Sequence, residues 1–370
     1  MRARQLTHLT SGKYPISVSS VTTKLLRWYD CNRRELPWRA PPGGIVNPYH
    51  VWLSEIMLQQ TTVSAVKPYF VNFLERWPSV EELSLAELDE ILHAWQGLGY
   101  YSRARNLHKC AKEVMTKWSG KFPESEANLL SLPGVGPYTA AAVAAIGFGK
   151  DAVPVDVNIE RVIARLYAID KPLPSRKVDI KRFAKTLLPK QRTGDFAQAL
   201  MDFGAIVCRR KKPRCSICLL KKECAGFKQG DPERLPFHPP KKIRPTRYGT
   251  VFWLECEDGS VLVQRREEMG LLGGMIEFPS SPWQDELLPV ESVLLSYAPS
   301  DASWEKIEGT VKHVFSHFYL VLDIRKASIL NKIPENSMWC KPADFNKLAL
   351  PTLMKKVANH VTKNISSQES

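Results

Sequence analysis

The sequence predicts a multidomain protein in which a mostly α-helical domain precedes an α+β domain, and three observations support this division. The chain has 370 residues, which is enough for two domains of ordinary size, each with its own hydrophobic core. From Val21 to about Cys224, apolar residues recur at spacings of three and four, as they do on the buried face of a helix. Beyond residue 246, apolar and polar residues alternate, which is typical of half-buried strands.

The predicted domain boundaries follow these changes of pattern. Residues 1–20 form an N-terminal arm, residues 21–225 the helical domain, and residues 247–364 the α+β domain. Between the two domains, residues 226–246 are rich in proline and charge and are predicted to be a linker. The first 29 residues are basic and contain no acidic residue, as in a transit peptide, but a disordered basic arm is the favoured interpretation.

The second domain contains recognisable strands and one helix. The stretch "YGTVFWLECEDGSVLVQRRE" is predicted to form two strands joined at Asp258–Gly259, because Asp-Gly adopts the backbone angles of a tight hairpin turn. The stretch "TVKHVFSHFYLVLDIRK" alternates in the same way. A short helix is predicted near residues 351–362.

The composition favours a globular protein with an anionic partner. Hydrophobic residues make up 44% of the chain, and no uninterrupted apolar run approaches the roughly 18 residues that a membrane span needs. Lys and Arg outnumber Asp and Glu by 52 to 38, a formal charge of +14, which favours nucleic acid as the partner. A basic but well solvated surface is the alternative, and charge alone does not reject it.

Four of the eight cysteines form a cluster with the spacing C-x6-C-x2-C-x5-C, at Cys208, Cys215, Cys218 and Cys224. Such a cluster indicates a metal site in a reducing compartment rather than a disulfide framework. Structural zinc usually takes two close cysteine pairs, and only Cys215 and Cys218 form one here. Because an iron–sulfur cluster tolerates wider and uneven spacing, the pattern favours iron–sulfur and leaves zinc open.

Seven cations lie between these cysteines. A metal-pinned loop with this charge is suited to bind the phosphate backbone of DNA. The alternative is that the cations offset the charge of the thiolates, and the two interpretations are compatible. The residues are Arg209, Arg210, Lys211, Lys212, Arg214, Lys221 and Lys222.

The stretch "LPGVGPYTAAAV" predicts a hairpin that leads into a helix. Gly134 and Gly136 flank Val135 in a tight turn, and the free amide groups at the start of the helix are suited to bind an anion such as a DNA phosphate. Tyr138 follows two residues after the second glycine and has no amine.

Together these features resemble the helix-hairpin-helix DNA glycosylases. The stretches "LPWR", "VWLSEIMLQQTTV" and "GLGYYSRARNLHKCA" are similar to the adenine DNA glycosylases of the MutY family, from about Glu35 to Cys224. The similarity continues more weakly from residue 247, where "GLLGGMIEFPS" and "VFSHF" resemble the Nudix-like C-terminal domain of that family. The resemblance therefore implies a mostly α helix-hairpin-helix glycosylase domain with an iron–sulfur cluster loop, followed by an α+β Nudix-like domain that recognises 8-oxoguanine.

The resemblance also implies the function. That family hydrolyses the N-glycosidic bond of undamaged adenine mispaired with 8-oxoguanine or guanine in double-stranded DNA, without significant lyase activity. It implies a [4Fe–4S] cluster held by the four clustered cysteines. It further implies a monomeric, DNA-associated protein of the bacterial cytoplasm.

Excision of adenine needs a proton donor for the base and an anion near the cationic sugar. Glu55 lies among apolar residues in "LSEIMLQQT", where desolvation can raise the pKa of a carboxyl so that it holds a proton. An exposed helical glutamate is the alternative, and the resemblance implies instead that Glu55 protonates adenine N7.

Asp156 stands just before a helical pattern in "VPVDVNIERVIARLYAI" and is therefore a predicted helix N-cap. Amide donors there are expected to lower the pKa of the carboxyl and keep it ionised. The resemblance implies that this anion faces the developing oxacarbenium ion, with Asn158 and Tyr138 in support. The family usually has glycine at the position of Val157, which puts the fine loop geometry in doubt.

The resemblance implies a further set of DNA-contacting residues. An apolar or aromatic wedge that replaces the extruded base would come from "GLGYYSR". Core packing is the alternative for Leu98 and Tyr100, although a Gly-rich loop is an unfavourable place for core residues. For Gln198 the alternative is a buried helix amide. The implied residues are Gln60, Thr61, Leu98 and Tyr100 near 8-oxoguanine, Arg39 and Gln198 at the adenine pocket, and Phe315, Ser316 and His317 in the C-terminal domain.

Two other functions stay open, and a third is not expected. A glycosylase-lyase resembling endonuclease III would use a hairpin lysine as a Schiff-base nucleophile, at the position that Tyr138 occupies. A DNA-binding module without catalysis is the second. A Nudix pyrophosphatase is not expected, because "MIEFPSSPWQDELLPVESV" after Gly274 lacks the R-E-x-x-E-E run that holds Mg²⁺.

Overall fold

The structure, a computed structural model, describes residues 8–11, 14–237, 243–330 and 338–368. The chain divides into two compact units. Unit 1 comprises Met1–Leu85 and Asn106–Pro240, and unit 2 comprises Ala86–Arg105 and Lys241–Ser370. Residues 86–105 thus group with unit 2, whereas the predicted helical domain included them.

The first 240 residues are mostly helical, as the sequence predicted. Helix α5 and the first residues of α6 belong to unit 2, and the other elements belong to unit 1. The elements are β1 (His8–Ser11), β2 (Tyr14–Ser17), α1 (Val18–Asn32), α2 (Pro48–Leu58), α3 (Val63–Arg76), α4 (Val80–Leu85), α5 (Leu88–Ala94), α6 (Ser102–Trp118), α7 (Glu126–Leu130), α8 (Pro137–Ala142), a π-helical segment (Val143–Gly147), α9 (Val157–Leu166), α10 (Ser175–Thr186), α11 (Thr193–Ile206) and α12 (Ala225–Lys228).

The N-terminal arm was predicted to be disordered, and this is wrong for its described residues. Strands β1 and β2 pair antiparallel, with His8 opposite Ser17. Thr10, Tyr14 and Ile16, residue types that favour strands, lie in these two segments, which explains the pairing. The remaining residues of the predicted arm up to residue 13 lie outside the described residues.

Helices α9 and α11 pack closely in the core of unit 1. Their apolar residues, among them Ile159, Ile163 and Phe203, are buried in one cluster. The backbones approach at Gly204, where an added Cβ would lie 2.7 Å from Asn158 Cβ and 2.9 Å from the Asn158 carbonyl oxygen. A side chain at Gly204 would therefore displace the start of α9.

Unit 2 contains a mixed sheet. Its central strands β3 and β8 run parallel, and the alternating residues Val251, Trp253, Leu322 and Ile324 are buried in one cluster. From residue 246 on, the elements are β3 (Thr246–Cys256), β4 (Val261–Arg265), β5 (Ile276–Glu277), α13 (Val290–Tyr297), β6 (Glu305–Lys306), β7 (Val311–Val314), β8 (Tyr319–Ile329), β9 (Met338–Cys340), a 3₁₀ helix (Pro342–Lys347) and α14 (Thr352–Gln368).

The predicted hairpin of unit 2 is confirmed. Strands β3 and β4 are antiparallel, with Glu255 opposite Val261. Gly259 in the turn has a φ of +75°, an angle that glycine adopts without strain. The predicted C-terminal helix is present as α14 and is longer than predicted. Within the described part of the chain, no helix combines the length and apolar character that crossing a membrane requires.

We expect Gly204→Ala to destabilise unit 1, because the added methyl group overpacks the contact between α11 and α9. Overpacking of this kind costs about 1–3 kcal/mol, which a thermal unfolding experiment detects as a lower Tm. Gly147→Ala is the matched control, since its Cβ would meet Pro48 at 3.5 Å, an ordinary contact distance. Equal Tm values for the two variants would contradict the close packing.

Candidate active site

Helix α2 places Glu55 in the interior of unit 1. The helix is capped by the Asn47 side chain, which accepts a hydrogen bond from the Tyr49 amide, and Pro48 occupies its first position. Val51 through Met57 are buried all around the helix, and Glu55 is only 6% exposed. The alternative of an exposed glutamate is therefore wrong.

Burial raises the pKa of Glu55 to about 7. A hydrogen bond with the Tyr138 hydroxyl opposes this rise, while the nearby charge of Asp156 adds to it. Among the described residues, Glu55 Oε2 has no hydrogen-bond partner. A carboxyl with this pKa and a free oxygen is able to deliver a proton near neutral pH.

Asp156 is the N-cap of α9, as predicted. Its Oδ1 accepts hydrogen bonds from the amides of Asn158 and Ile159 at 3.0 and 2.7 Å, and its Oδ2 accepts one from Asn158 Nδ2 at 2.6 Å. Val157, at the first position of α9, is 72% exposed, and the cap forms without a glycine there.

The predicted lowering of the Asp156 pKa is wrong. Burial raises the pKa of this carboxyl, and the hydrogen bonds from Ile159 and Asn158 oppose the rise without reversing it. The sequence indicates the cap donors, whereas the extent of desolvation depends on the packing around the site. Both carboxyls of the site thus have raised pKa values. Asp156 accepts more hydrogen bonds than Glu55, and these bonds favour its charged form.

The hairpin between α7 and α8 positions Tyr138. Gly134 has a φ of +73°, and a Cβ there would lie 2.7 Å from Asn106 Cβ. Gly136 is the N-cap of α8, and Tyr138 is the second residue of that helix. Val135 is buried. Burial raises the pKa of Tyr138 well above its usual value, so its hydroxyl is a hydrogen-bond donor to Glu55.

A groove of about 1300 Å³ brings eight of the predicted site residues together. This exceeds the roughly 300–1000 Å³ of a typical small-ligand pocket. The eight lining residues are Arg39, Glu55, Gln60, Thr61, Tyr138, Asp156, Asn158 and Gln198.

Asp202 was missed by sequence reasoning. It is fully buried and binds the Arg39 guanidinium through two hydrogen bonds of 2.7 and 2.9 Å. Burial alone would raise the pKa of Asp202, but the hydrogen bonds and charges of Arg39 and Arg34 outweigh it and lower the pKa. The sequence did contain a signal, because Asp202 follows Gln198 by four residues and so lies on the same face of α11.

Comparison with known proteins identifies the family. Residues 53–190 match the HhH-GPD superfamily of base excision DNA repair proteins, and residues 250–360 match the NUDIX domain. The adenine DNA glycosylase of Buchnera aphidicola (subsp. Acyrthosiphon pisum) is 32% identical over 353 residues, which covers 92% of this chain and 97% of that protein. The chain belongs to the adenine DNA glycosylase family.

A second curated relative and one solved structure are also DNA glycosylases. The human adenine DNA glycosylase is 32% identical over 401 residues, which covers 92% of this glycosylase and 73% of the human protein. The structure of a thermostable thymine-DNA glycosylase matches with a TM-score of 0.52 and 32% identity, covering 57% of this chain and 97% of that one. The predicted fold class, the predicted family and the prediction of a DNA glycosylase of base-excision repair are confirmed.

The four clustered cysteines of the glycosylase line one cavity. None of the four forms a disulfide, and Arg165 donates a hydrogen bond to Cys208 Sγ at 3.4 Å. The donors that line this cavity are four cysteine sulfurs, and four thiolates are a ligand set of both zinc and iron–sulfur centres.

Helix α9 links the cysteine loop to the groove. Arg161 donates hydrogen bonds to Asn158 Oδ1 at 2.8 Å, to the Gly204 carbonyl at 2.6 Å and to the Cys208 carbonyl at 2.7 Å. One turn later, Arg165 is 2% exposed and binds the carbonyl of Arg209 at 2.7 Å. The residue that caps α9 and the loop that carries the cysteines are therefore held by the same helix.

In unit 2 the structure brings together two predicted DNA-contacting residues. The hydroxyl groups of Tyr100 and Ser316 are hydrogen-bonded, and both side chains are exposed. Phe315 and His317 flank Ser316 in the connection between β7 and β8. Leu98 is only 7% exposed, so the expectation that a Gly-rich loop keeps it out of the core is wrong.

We expect Glu55→Gln to stabilise the glycosylase increasingly as the pH rises from 5 to 8. The pKa of Glu55 is raised from 4.5 to about 7, so its folded-state proton stabilises the native protein below pH 4.5, and that contribution is lost as the pH rises through 7. A glutamine stays neutral and avoids the loss, which amounts to at most about 3 kcal/mol.

The measurement is the difference in Tm between this variant and the wild type across that pH range. Glu81→Gln is the control, because Glu81 is exposed in α4 and the variant replaces a carboxyl that does not line the groove. A constant difference for Glu55→Gln would contradict the raised pKa.

Proposed function

We propose that this glycosylase hydrolyses the N-glycosidic bond of adenine paired with 8-oxoguanine or guanine in double-stranded DNA. The observation that carries the proposal is the buried Glu55, whose pKa of about 7 lets it hold a proton in the same groove as Asp156. The proposal includes a monomeric enzyme without significant lyase activity.

Catalysis begins with extrusion of the adenosine from the DNA stack, because its reacting atoms are otherwise out of reach. The groove accommodates the extruded nucleotide, with Arg39 and Gln198 in its wall. Asp202 holds the Arg39 guanidinium in one orientation through two hydrogen bonds. A guanidinium held in this way presents its remaining donors to the base in a defined geometry.

Glu55 then protonates adenine N7, which makes the base a tolerable leaving group. The Tyr138 hydroxyl donates a hydrogen bond to Glu55 and fixes the carboxyl, while Oε2 stays available for the substrate. The Asp156 anion stabilises the developing oxacarbenium ion, and the three donors around it favour the charged form. After the base departs, ionised Glu55 activates the water that attacks the sugar carbon.

The absence of lyase activity rests on the hairpin. A lyase needs an amine that forms a Schiff base with the sugar, and the hairpin offers the Tyr138 hydroxyl, which is engaged with Glu55. Among the described residues that line the groove, Lys177 is the one lysine. If strand cleavage occurred without alkali, the Lys177→Ala variant would test whether Lys177 supplies the amine.

We propose that Cys208, Cys215, Cys218 and Cys224 hold a [4Fe–4S] cluster. Burial raises the pKa of Cys218 to about 12 and that of Cys224 to about 11, so their thiolate forms require nearby positive charge. Arg165 supplies part of it at Cys208 Sγ. When bound, the cluster would cross-link the loop through four metal–thiolate bonds.

The loop around this centre is proposed to bind the DNA backbone. Arg209 is half-buried and donates to the Lys212 carbonyl, and the other six cations are exposed and available for phosphate contacts. The hairpin amides at Gly134 and Gly136 are proposed to bind another phosphate. Gln60 and Thr61 are proposed DNA-contacting residues of unit 1. In unit 2, Tyr100 and Ser316 are proposed to lie beside 8-oxoguanine.

We expect single-turnover assays to show adenine release from a duplex with adenine opposite 8-oxoguanine, and strand cleavage only after alkali. The rate should fall as the pH rises through about 7, since the protonated form of Glu55 is then lost. Glu55→Gln should reduce release by at least about a hundredfold, the usual contribution of a general acid. Unchanged release by that variant, or direct nicking of a thymine glycol duplex, would overturn the proposal.

Anaerobically purified protein should contain about four irons and four sulfides per chain, the content of a [4Fe–4S] cluster. Cys215→Ser should lose this content, and Cys31→Ser should keep it because Cys31 is exposed and lies outside the cluster. Elemental and sulfide analysis decides the question, and zinc without sulfide would reject the iron–sulfur assignment.

A further inference from the structure

We propose that Trp283 is a positioning residue for the opposite-base loop, which we define as Phe315–His317. In this role Trp283 sets the preference for adenine opposite 8-oxoguanine over adenine opposite guanine. The inference rests on the proposed function, in which Ser316 lies beside the opposite base.

Phe315 anchors the loop to a group of aromatic rings. Its ring is stacked on Trp283, with centroids 5.5 Å apart and planes inclined by 28°. The ring centroid of Phe318 lies 4.9 Å from that of Phe315 and 6.3 Å from that of Trp283. A hydrogen bond of 2.9 Å from the Phe315 amide to the Phe318 carbonyl closes the loop. The half-buried Phe315 is thus fixed, while Ser316 and His317 remain exposed.

Trp283 itself is held from two other sides. The Arg266 guanidinium lies 5.2 Å from the centroid of its ring, at cation–π distance. Arg266 is oriented by an ion pair with Glu277, which is 4% exposed and also accepts a hydrogen bond of 3.0 Å from Gln264. The Trp283 ring therefore rests against a cation that a buried carboxylate keeps in place.

Strand β3 supplies the remaining support and the space for the ring. Gln284 and Tyr248 exchange backbone hydrogen bonds of 2.7 and 3.0 Å, which ties the neighbour of Trp283 to the strand. At Gly249, an added Cβ would lie 2.7 Å from Trp283 Cδ1, so a side chain there would displace the ring. The absence of a side chain at Gly249 leaves room for Trp283 beside Phe315.

The aromatic group controls the position of a polar contact. The exposed Ser316 hydroxyl is hydrogen-bonded to Tyr100, and Ser316 directly follows the stacked Phe315. Guanine and 8-oxoguanine differ only at the C8 oxygen and the N7 proton, so discrimination requires donors and acceptors held in a narrow geometry. Loss of the Trp283 ring would free Phe315 and loosen that geometry. The catalytic carboxyls Glu55 and Asp156 would remain in place.

The test is Trp283→Ala in single-turnover excision of adenine opposite 8-oxoguanine and opposite guanine. We expect the preference for 8-oxoguanine to fall roughly tenfold, the scale of one aromatic pair, with the rate opposite guanine unchanged. Trp283→Phe keeps a ring that can stack on Phe315, so this variant should retain most of the preference for 8-oxoguanine.

Trp304→Ala is the matched control. Trp304 packs on Phe252, with ring centroids 5.1 Å apart, in a cluster on the opposite face of β3 from Trp253. This variant tests whether general destabilisation of unit 2 lowers the preference. We expect it to keep the wild-type preference.

Two different failures are distinguishable. If the wild type prefers 8-oxoguanine and Trp283→Ala keeps that preference, or if Trp304→Ala loses it equally, the positioning role is overturned and the proposed function stands. If the wild type releases adenine equally opposite both bases, the proposed opposite-base specificity itself fails, and the role of Trp283 fails with it.

Discussion

The capped start of helix α9 is the interaction on which the glycosylase site depends. Asp156 accepts three hydrogen bonds from the residues that begin the helix, and the same helix binds the cysteine loop through Arg161 and Arg165. A carboxylate held by three donors has little freedom to move when charge develops on the sugar. Electrostatic stabilisation by groups fixed in advance requires no reorganisation during the reaction.

The two carboxyls of the groove reach different states through different surroundings. Glu55 has a hydrogen bond from Tyr138 and one oxygen without a partner among the described residues, so burial dominates and its pKa reaches about 7. Burial also raises the pKa of Asp156, but the backbone and side-chain donors there limit the rise. Glu55 is buried and Asp156 is half-buried, so the two carboxyls differ both in exposure and in the number of hydrogen-bond donors.

Local features of the site were predictable from the sequence, and features that depend on packing were not. An aspartate before a helical pattern predicted the Asp156 cap, and Asp-Gly predicted the hairpin of unit 2, because these signals act over a few residues. The burial of Leu98 and the pKa of Asp156 depend on chain segments far away in the sequence. Asp202 was overlooked because its partner Arg39 lies 163 residues earlier.

The close approach at Gly204 makes the reacting geometry sensitive to a residue that touches no substrate. A methyl group there would press on Asn158, the donor to Asp156. A displacement of about 1 Å can cost a hundredfold in rate even when every reacting group is retained. An inactive variant at this position would therefore be a defect of alignment, and it would mimic the loss of a catalytic group in any assay that records turnover alone.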